Sequence, residues 1–187
     1  MQVRISTCKG ALVAEESSEE VLGILIDILI HPDTGDIEGF YVQVSGGFGG
    51  GGYLFCRAID VLRFGTRIYV RSADVLCDPY EIVRLHNLLD DGRRVLGQRI
   101  RTESGQVIGR CKDVQFNTEA MKLEWIFPKR LFRWKRGIAA TDIIEVKDHY
   151  IVVRDAPLPI LGEEEEHASV LDPIEIIEPK VSRVKQE

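Results

Sequence analysis

Val21-Leu-Gly-Ile-Leu-Ile-Asp-Ile returns 86 residues later as Val107-Ile-Gly-Arg-Cys-Lys-Asp-Val, with Gly23 meeting Gly109 and Asp27 meeting Asp113. The same offset, without a gap, sets Ser18 on Ser104 and Glu38 on Glu124. Further along, an offset of 82 aligns Asp60-Val-Leu-Arg-Phe-Gly-Thr-Arg-Ile-Tyr-Val with Asp142-Ile-Ile-Glu-Val-Lys-Asp-His-Tyr-Ile-Val. The second copy therefore has a loop four residues shorter, opposite residues 43–59 of the first. Self-similarity of this kind implies one structural unit built twice.

Each unit has the composition of strands. Ile37-Glu-Gly-Phe-Tyr-Val-Gln-Val and Arg67-Ile-Tyr-Val-Arg are rich in β-branched and aromatic residues and are bounded by turn formers. Pro32-Asp-Thr-Gly-Asp separates Ile24–Ile30 from Ile37–Val44, which predicts a hairpin. The second copy has Asn117-Thr-Glu-Ala-Met there, without Pro or Gly, so its turn is expected to be looser or of another type. Gly23 and Gly109, each inside a strand, mark a bulge or a sharp bend. Short strands at close spacing suggest a small barrel, which hides its edges by closing. Between the copies, Asp78 can cap a helix with Pro79 at its first position, Gly92 can stop it, and apolar residues at 82, 85, 88 and 89 form one stripe.

The composition is that of an ordinary globular protein: 187 residues, 44% hydrophobic and 29% charged. Four cysteines, Cys8, Cys56, Cys77 and Cys111, lie far apart without a Cys-x-x-Cys pair, consistent with free buried thiols in a reducing compartment. The longest apolar run, Val21–Ile30, is too short to span a bilayer, so no membrane insertion is expected. The beginning Met1-Gln-Val-Arg-Ile lacks the apolar core of a secretory signal, and a cytoplasmic location is expected. The net charge of −6 is concentrated in residues 156–187, which carry eight acidic and three basic side chains, while the remaining 155 residues nearly balance. This tail has four prolines and no aromatic residue, the composition of an extended acidic segment.

The pattern Leu-Gly-x-x-x-Asp, then Asp-x-Thr-Gly-x-Ile, then an Ile-Asp-x-Leu step into an apolar strand resembles the PRC-barrel domain family. Here its residues are Leu22, Gly23, Asp27, Asp33, Thr34, Gly35 and Ile37, then Ile59, Asp60, Leu62, Ile68 and Val70. The second copy retains Ile108, Gly109, Asp113, Leu123, Asp142, Ile144 and Ile151 but departs at the Thr-Gly turn, where Ala120 and Met121 stand. The family takes its name from the photosynthetic reaction-centre H subunit. It also includes the C-terminal domain of a ribosome-maturation factor and archaeal proteins linked to cell division. The resemblance implies a docking module of a larger assembly without catalytic residues.

The sequence holds no P-loop, no dinucleotide fingerprint after a strand and no His-Glu-x-x-His, and its four histidines are scattered. No enzyme activity, cofactor or metal is expected. Asp27 and Asp113 occupy matching places in separate units and are read as structural carboxylates held by backbone donors. Ser45-Gly-Gly-Phe-Gly-Gly-Gly-Gly-Tyr is glycine-rich but leads into a predicted strand, where a phosphate cradle would lead into a helix. It is read as an insertion-tolerant connection, with Phe48 as a candidate anchor.

At the same place in the second copy stands Phe127-Pro-Lys-Arg-Leu-Phe-Arg-Trp-Lys-Arg-Gly. Its cations Lys129, Arg130, Arg133, Lys135 and Arg136 are interleaved with Phe132 and Trp134. Arginine and tryptophan are frequent anchors at protein interfaces, which fits the acidic surface of a partner protein. The same composition fits RNA, by phosphate neutralisation and base stacking, in ribosome assembly or RNA processing. It also fits a solvated barrel rim with Leu131, Phe132 and Trp134 turned inward, or contact with the chain's own Glu15–Glu20 or Glu163–Glu166.

The expected architecture is therefore all-β: a PRC-like barrel over 1–77, a linker helix over 78–92, a second barrel over 93–155 and an acidic tail over 156–187. The expected function is a non-enzymatic adaptor acting through protein contacts, with self-association open.

Overall fold

Strands dominate because the segments are rich in β-branched and aromatic residues, and in Arg67–Val70 and Tyr150–Val153 every second residue is buried. The computed structural model describes residues 1–44 and 52–155. Both the glycine-rich connection with Phe48 and the acidic tail lie outside these described residues. Met1–Asp155 form one compact unit.

The chain begins with β1 (Gln2–Arg4) and a single helical turn α1 (Ile5–Cys8), followed by β2 (Leu12–Glu15), β3 (Val21–Ile30) and β4 (Ile37–Val44). Next come β5 (Tyr53–Arg57), β6 (Val61–Phe64), β7 (Arg67–Val70) and β8 (Leu76–Cys77). Helix α2 (His86–Asp91) leads to β9 (Arg99–Thr102), β10 (Val107–Asn117), β11 (Lys122–Arg130) and β12 (Arg133–Trp134). The last strands are β13 (Ile138–Ala139), β14 (Ile143–Val146) and β15 (Tyr150–Val153).

Two sheets result. The first has the order β6-β7-β2-β3-β4-β5-β8, and the second β12-β11-β10-β9-β15-β14, with β1 on β10 and β13 on β11. In each, one pairing is parallel, β2 with β7 and β9 with β15, and all others are antiparallel.

The repeat extends to the irregularities. Register shifts occur between Leu25 and Asp27 in β3 and between Cys111 and Asp113 in β10. A second pair lies between Val61 and Arg63 and between Ile143 and Glu145. A 3-10 turn precedes each of these latter strands, Ala58–Asp60 and Ala140–Asp142. Gly23 and Gly109 lie at a further matched pair of register shifts, where β3 meets β2 and β10 meets β9, and both are required by the neighbouring backbone. A Cβ on Gly23 would lie 2.3 Å from the Gln43 carbonyl oxygen, and one on Gly109 would lie 2.8 Å from that of Lys129.

Structural equivalence does not hold at 82 through residue 70 as the alignment suggests. Phe64 opposes Ile68, whereas Val146 opposes Ile151, so the β14–β15 turn carries one residue more and β15 matches β7 at an offset of 83.

The turn of the second copy is also not of a different type. Met121 has φ +47° where Gly35 has φ +72°. In copy one His31 Nδ1 accepts the N–H of Asp33 at 3.2 Å and of Thr34 at 3.4 Å. In copy two Asn117 Oδ1 accepts those of Glu119 at 2.9 Å and Ala120 at 3.1 Å. A histidine ring nitrogen and an asparagine oxygen perform the same backbone capping, so the turn survives without its glycine.

These two turns meet each other. Asp36 and Lys122, equivalent residues of the two copies, form an antiparallel bridge. The Ile37 N–H donates to the Met121 carbonyl and the Leu123 N–H to the Gly35 carbonyl, both at 2.8 Å. The exchange is reciprocal under the 86-residue offset, so the halves are joined about a local pseudo-two-fold axis, as in an isologous dimer. Behind the bridge the halves share one apolar core. Phe116 of β10 packs against Phe40 of β4 at 5.9 Å and Phe64 of β6 at 5.8 Å between ring centroids.

Residues 1–8 belong with the second sheet, although the repeat places them in a unit spanning 1–77. Strand β1 pairs with β10, and Ser6 of α1 donates its N–H and hydroxyl to the Asp113 carboxylate at 3.0 and 2.6 Å. Asp113 also accepts the Val114 N–H, so this buried carboxylate is held by hydrogen bonds, while Asp27 is paired with Lys9 at 3.0 Å.

The connection 78–92 is only partly α-helical. Asp78 caps as expected, accepting the Tyr80 N–H at 2.9 Å, and Gly92 ends α2 with φ +71°. Between them Pro79–Glu81 and Val83–Leu85 are 3-10 turns. Of the expected stripe, Leu85 is fully buried, whereas Ile82, Leu88 and Leu89 are half-buried.

Ionic contacts reinforce the join. Arg93 bridges Asp33 of the first turn and Asp91 of α2, and Lys122 contacts Asp36 at 2.6 Å. The Arg93 guanidinium holds the Asp33 and Asp91 carboxyls below the usual carboxylate range, and Lys122 together with Thr34 does so for Asp36. A carboxyl with a lowered folded-state pKa stabilises above its unfolded value of about 4 and loses that contribution as pH falls through the folded one. Urea unfolding should therefore show stability declining below about pH 4. In Arg93→Gln stability should be lower at neutral pH and the acid decline shallower. Gly23→Ala and Gly109→Ala should each destabilise by about 1–3 kcal/mol, the former more, as read from chemical denaturation.

Candidate functional site

The strongest exposed apolar feature is built by the end of β11 and by β12. Lys129 opposes Trp134 and Arg130 opposes Arg133, which leaves Leu131 and Phe132 as a two-residue hairpin tip. The Lys135 N–H returns to the Pro128 carbonyl at 2.9 Å and closes the base. This hairpin occupies the place at which the first copy connects β4 to β5 through its glycine-rich segment.

The tip side chains face solvent: Leu131 is 87% exposed, Phe132 93% and Trp134 54%. The inward alternative, in which these three residues fill the core, is thereby excluded. Leu131 adopts φ +54°, a left-handed conformation that two-residue hairpins reserve for Gly, Asn or Asp. For a leucine it costs about 1–2 kcal/mol, and no burial within the described residues offsets it.

Arg130, Arg133, Lys135 and Arg136 are exposed around the tip, and Lys129 is half-buried with its ammonium 5.2 Å from the centre of the Trp134 ring. Arg130 donates to the Val107 carbonyl at 3.3 Å, which ties the hairpin to the start of β10. At its root, the Arg4 guanidinium lies 3.6 Å from the centre of the Phe127 ring, so the N-terminal strand buttresses the hairpin. None of the five hairpin cations has a carboxylate within ion-pair distance among the described residues, Glu15–Glu20 included. Glu163–Glu166 lie outside those residues. All seven positions singled out in the sequence, Lys129, Arg130, Phe132, Arg133, Trp134, Lys135 and Arg136, are thus brought together on one projecting hairpin.

A division of charge between the halves is also evident. Residues 93–155 carry fourteen basic and eight acidic side chains, whereas residues 1–77 carry six basic and ten acidic. Counting charge by repeat, instead of body against tail, exposes this asymmetry in the sequence.

Burial pushes the thiols of Cys56 and Cys111 up to about 12, which removes their nucleophilicity at neutral pH. Among the described residues no three His, Cys, Asp or Glu side chains converge to hold a metal ion. No described helix is long and apolar enough to cross a membrane.

No protein-family model matches the chain, and no curated protein matches it.

Because the Leu131 side chain is exposed and its backbone left-handed, Leu131→Asn should raise stability by about 1 kcal/mol. A thermal melt showing no gain, or a loss, would mean that the leucine is packed in solution.

Proposed function

We propose that this protein is a non-enzymatic adaptor, built from two tandem PRC-like barrel units, that docks on the acidic surface of a partner protein within a larger assembly. The hairpin at residues 129–136 is the contact. The observation that carries this reading is the exposure of Leu131 and Phe132 at a projecting tip ringed by cations. Transferring one such side chain from water to a pocket contributes about 1.5–3 kcal/mol, which supplies affinity that charge alone does not. The surrounding arginines and lysines accelerate encounter with a negative surface and fix the orientation. Trp134, stiffened by Lys129 over its ring, adds a large side chain of the kind that anchors interfaces. Exposed apolar residues in such a cluster mark an interaction site.

The reading divides the work between two sets of residues, and the variants follow that division. Leu131→Asp with Phe132→Asp should abolish recovery of the partner when the full chain is crosslinked in native cells and purified. Arg133→Glu with Lys135→Glu should slow association and weaken the salt dependence of the complex. Recovery unaffected by both pairs would refute the docking role of the hairpin. Sedimentation of the purified chain identifies a second copy as the partner, since self-association through the tip would be lost in the same Leu131 and Phe132 variant.

A further inference from the structure

A second feature lies on the sheet face beside the hairpin. Strand registers place Arg99 opposite Arg110 and Arg110 opposite Lys129, on β9, β10 and β11. The row continues at both ends into aromatic residues, with Tyr150 opposite Arg99 and Trp134 opposite Lys129. Adjacent strands are about 4.8 Å apart, so three cations stand side by side over roughly 10 Å.

Like charges directly opposite each other on neighbouring strands destabilise a sheet. Here two such contacts follow in succession, and no carboxylate lies within ion-pair distance of Arg99, Arg110 or Lys129 among the described residues. Arg110 spends one guanidinium N–H on the Gly97 carbonyl at 3.2 Å, a neutral acceptor that leaves its charge uncompensated among the described residues. At the Arg99 and Arg110 side the row opens into a cleft of about 660 Å³, whose wall adds Arg94 and His149 and a single carboxylate, Asp148.

We propose that this row is a binding path for the phosphodiester backbone of a single-stranded polynucleotide. The row runs across the strands, over backbone whose N–H and C=O groups are already paired within the sheet. An acidic peptide laid along it would gain no main-chain hydrogen bonds, which peptides obtain at a sheet edge. A phosphate chain needs none: it brings an anion at every residue and takes paired hydrogen bonds from guanidinium groups. Trp134, exposed at one end with Lys129 over its ring, offers a surface for a base, whereas the half-buried Tyr150 ring at the other end lies under Arg101 and Lys147 and extends the cationic path. Basic grooves with aromatic platforms are the common means of holding single strands. This assignment does not depend on the role of Leu131 and Phe132.

The test uses the full chain and fluorescence anisotropy with labelled 20-nucleotide oligouridine and oligothymidine, at salt from about 50 to about 200 mM. Binding that weakens with salt is expected, and the two probes distinguish RNA from DNA as the source of the backbone. Arg99→Glu with Arg110→Glu should weaken binding about tenfold or more and reduce the salt slope by about 1.4, the value for two phosphates of a single strand. Arg99→Gln with Arg110→Gln should also weaken it, while its melting temperature stays equal to or above that of the native chain because a repulsion has been removed. Leu131→Asp with Phe132→Asp should leave oligonucleotide binding unchanged. The proposal is overturned if neither probe binds at the lowest salt, if the glutamine pair binds as the native chain does, or if polyglutamate displaces the oligonucleotide at equal charge concentration.

Discussion

The reciprocal bridge between Asp36 and Lys122 is the constraint on which the rest of the structure depends. Each half offers the same turn to the other, and each turn uses a free N–H and a free carbonyl that would otherwise face water. Once this exchange is made, β4 and β10 are held close enough for Phe40, Phe64 and Phe116 to pack as one cluster. An apolar core continuous across the pseudo-two-fold axis resembles a homodimer interface fused into one chain. It also explains why the left-handed turn residue persists as Met121: a different turn would misplace the carbonyl that receives the Ile37 N–H.

With the scaffold held in common, the two halves differ where the scaffold does not constrain them. The connection after β4 and the one after β11 leave the same point of the repeat, and there the copies diverge most, glycine-rich in the first and basic-aromatic in the second. The strands below are bound by bulges and by glycines lying against a neighbouring carbonyl, so substitution there is costly. At the hairpin tip the costs are local and small, and a leucine in a left-handed conformation is tolerated by a rigid base.

Charge follows the same division. The second half concentrates its arginines and lysines on the outer sheet face and hairpin, away from the Asp33–Arg93–Asp91 and Asp36–Lys122 contacts at the join. Two kinds of basic residue are thereby separated: Arg93 and Lys122, paired with carboxylates at the join, and the cations of the row and hairpin, left without one among the described residues. The adaptor reading and the polynucleotide path draw on the second kind; they share Lys129 and Trp134 and otherwise use adjacent surfaces, the apolar tip and the sheet row.

Much of this was readable from the chain alone. The repeat, the Ile30–Ile37 hairpin, the bulge at Gly23 and Gly109, the Asp78 cap and the basic-aromatic segment are all properties of neighbouring residues, and neighbouring residues determine turn chemistry and side-chain alternation. The pairing of β1 with β10, the extra residue before β15, the reciprocal join and the Tyr150-Arg99-Arg110-Lys129-Trp134 row were decided only in the tertiary structure. Alternation states which face of a strand a residue occupies, but not which strand lies beside it, because that depends on contacts between residues far apart in the chain. The outward direction of Leu131, Phe132 and Trp134 belongs to the same class. Their hydrophobicity alone argued for burial, and only the two-residue hairpin, which carries the tip beyond the shared core, turned them to solvent.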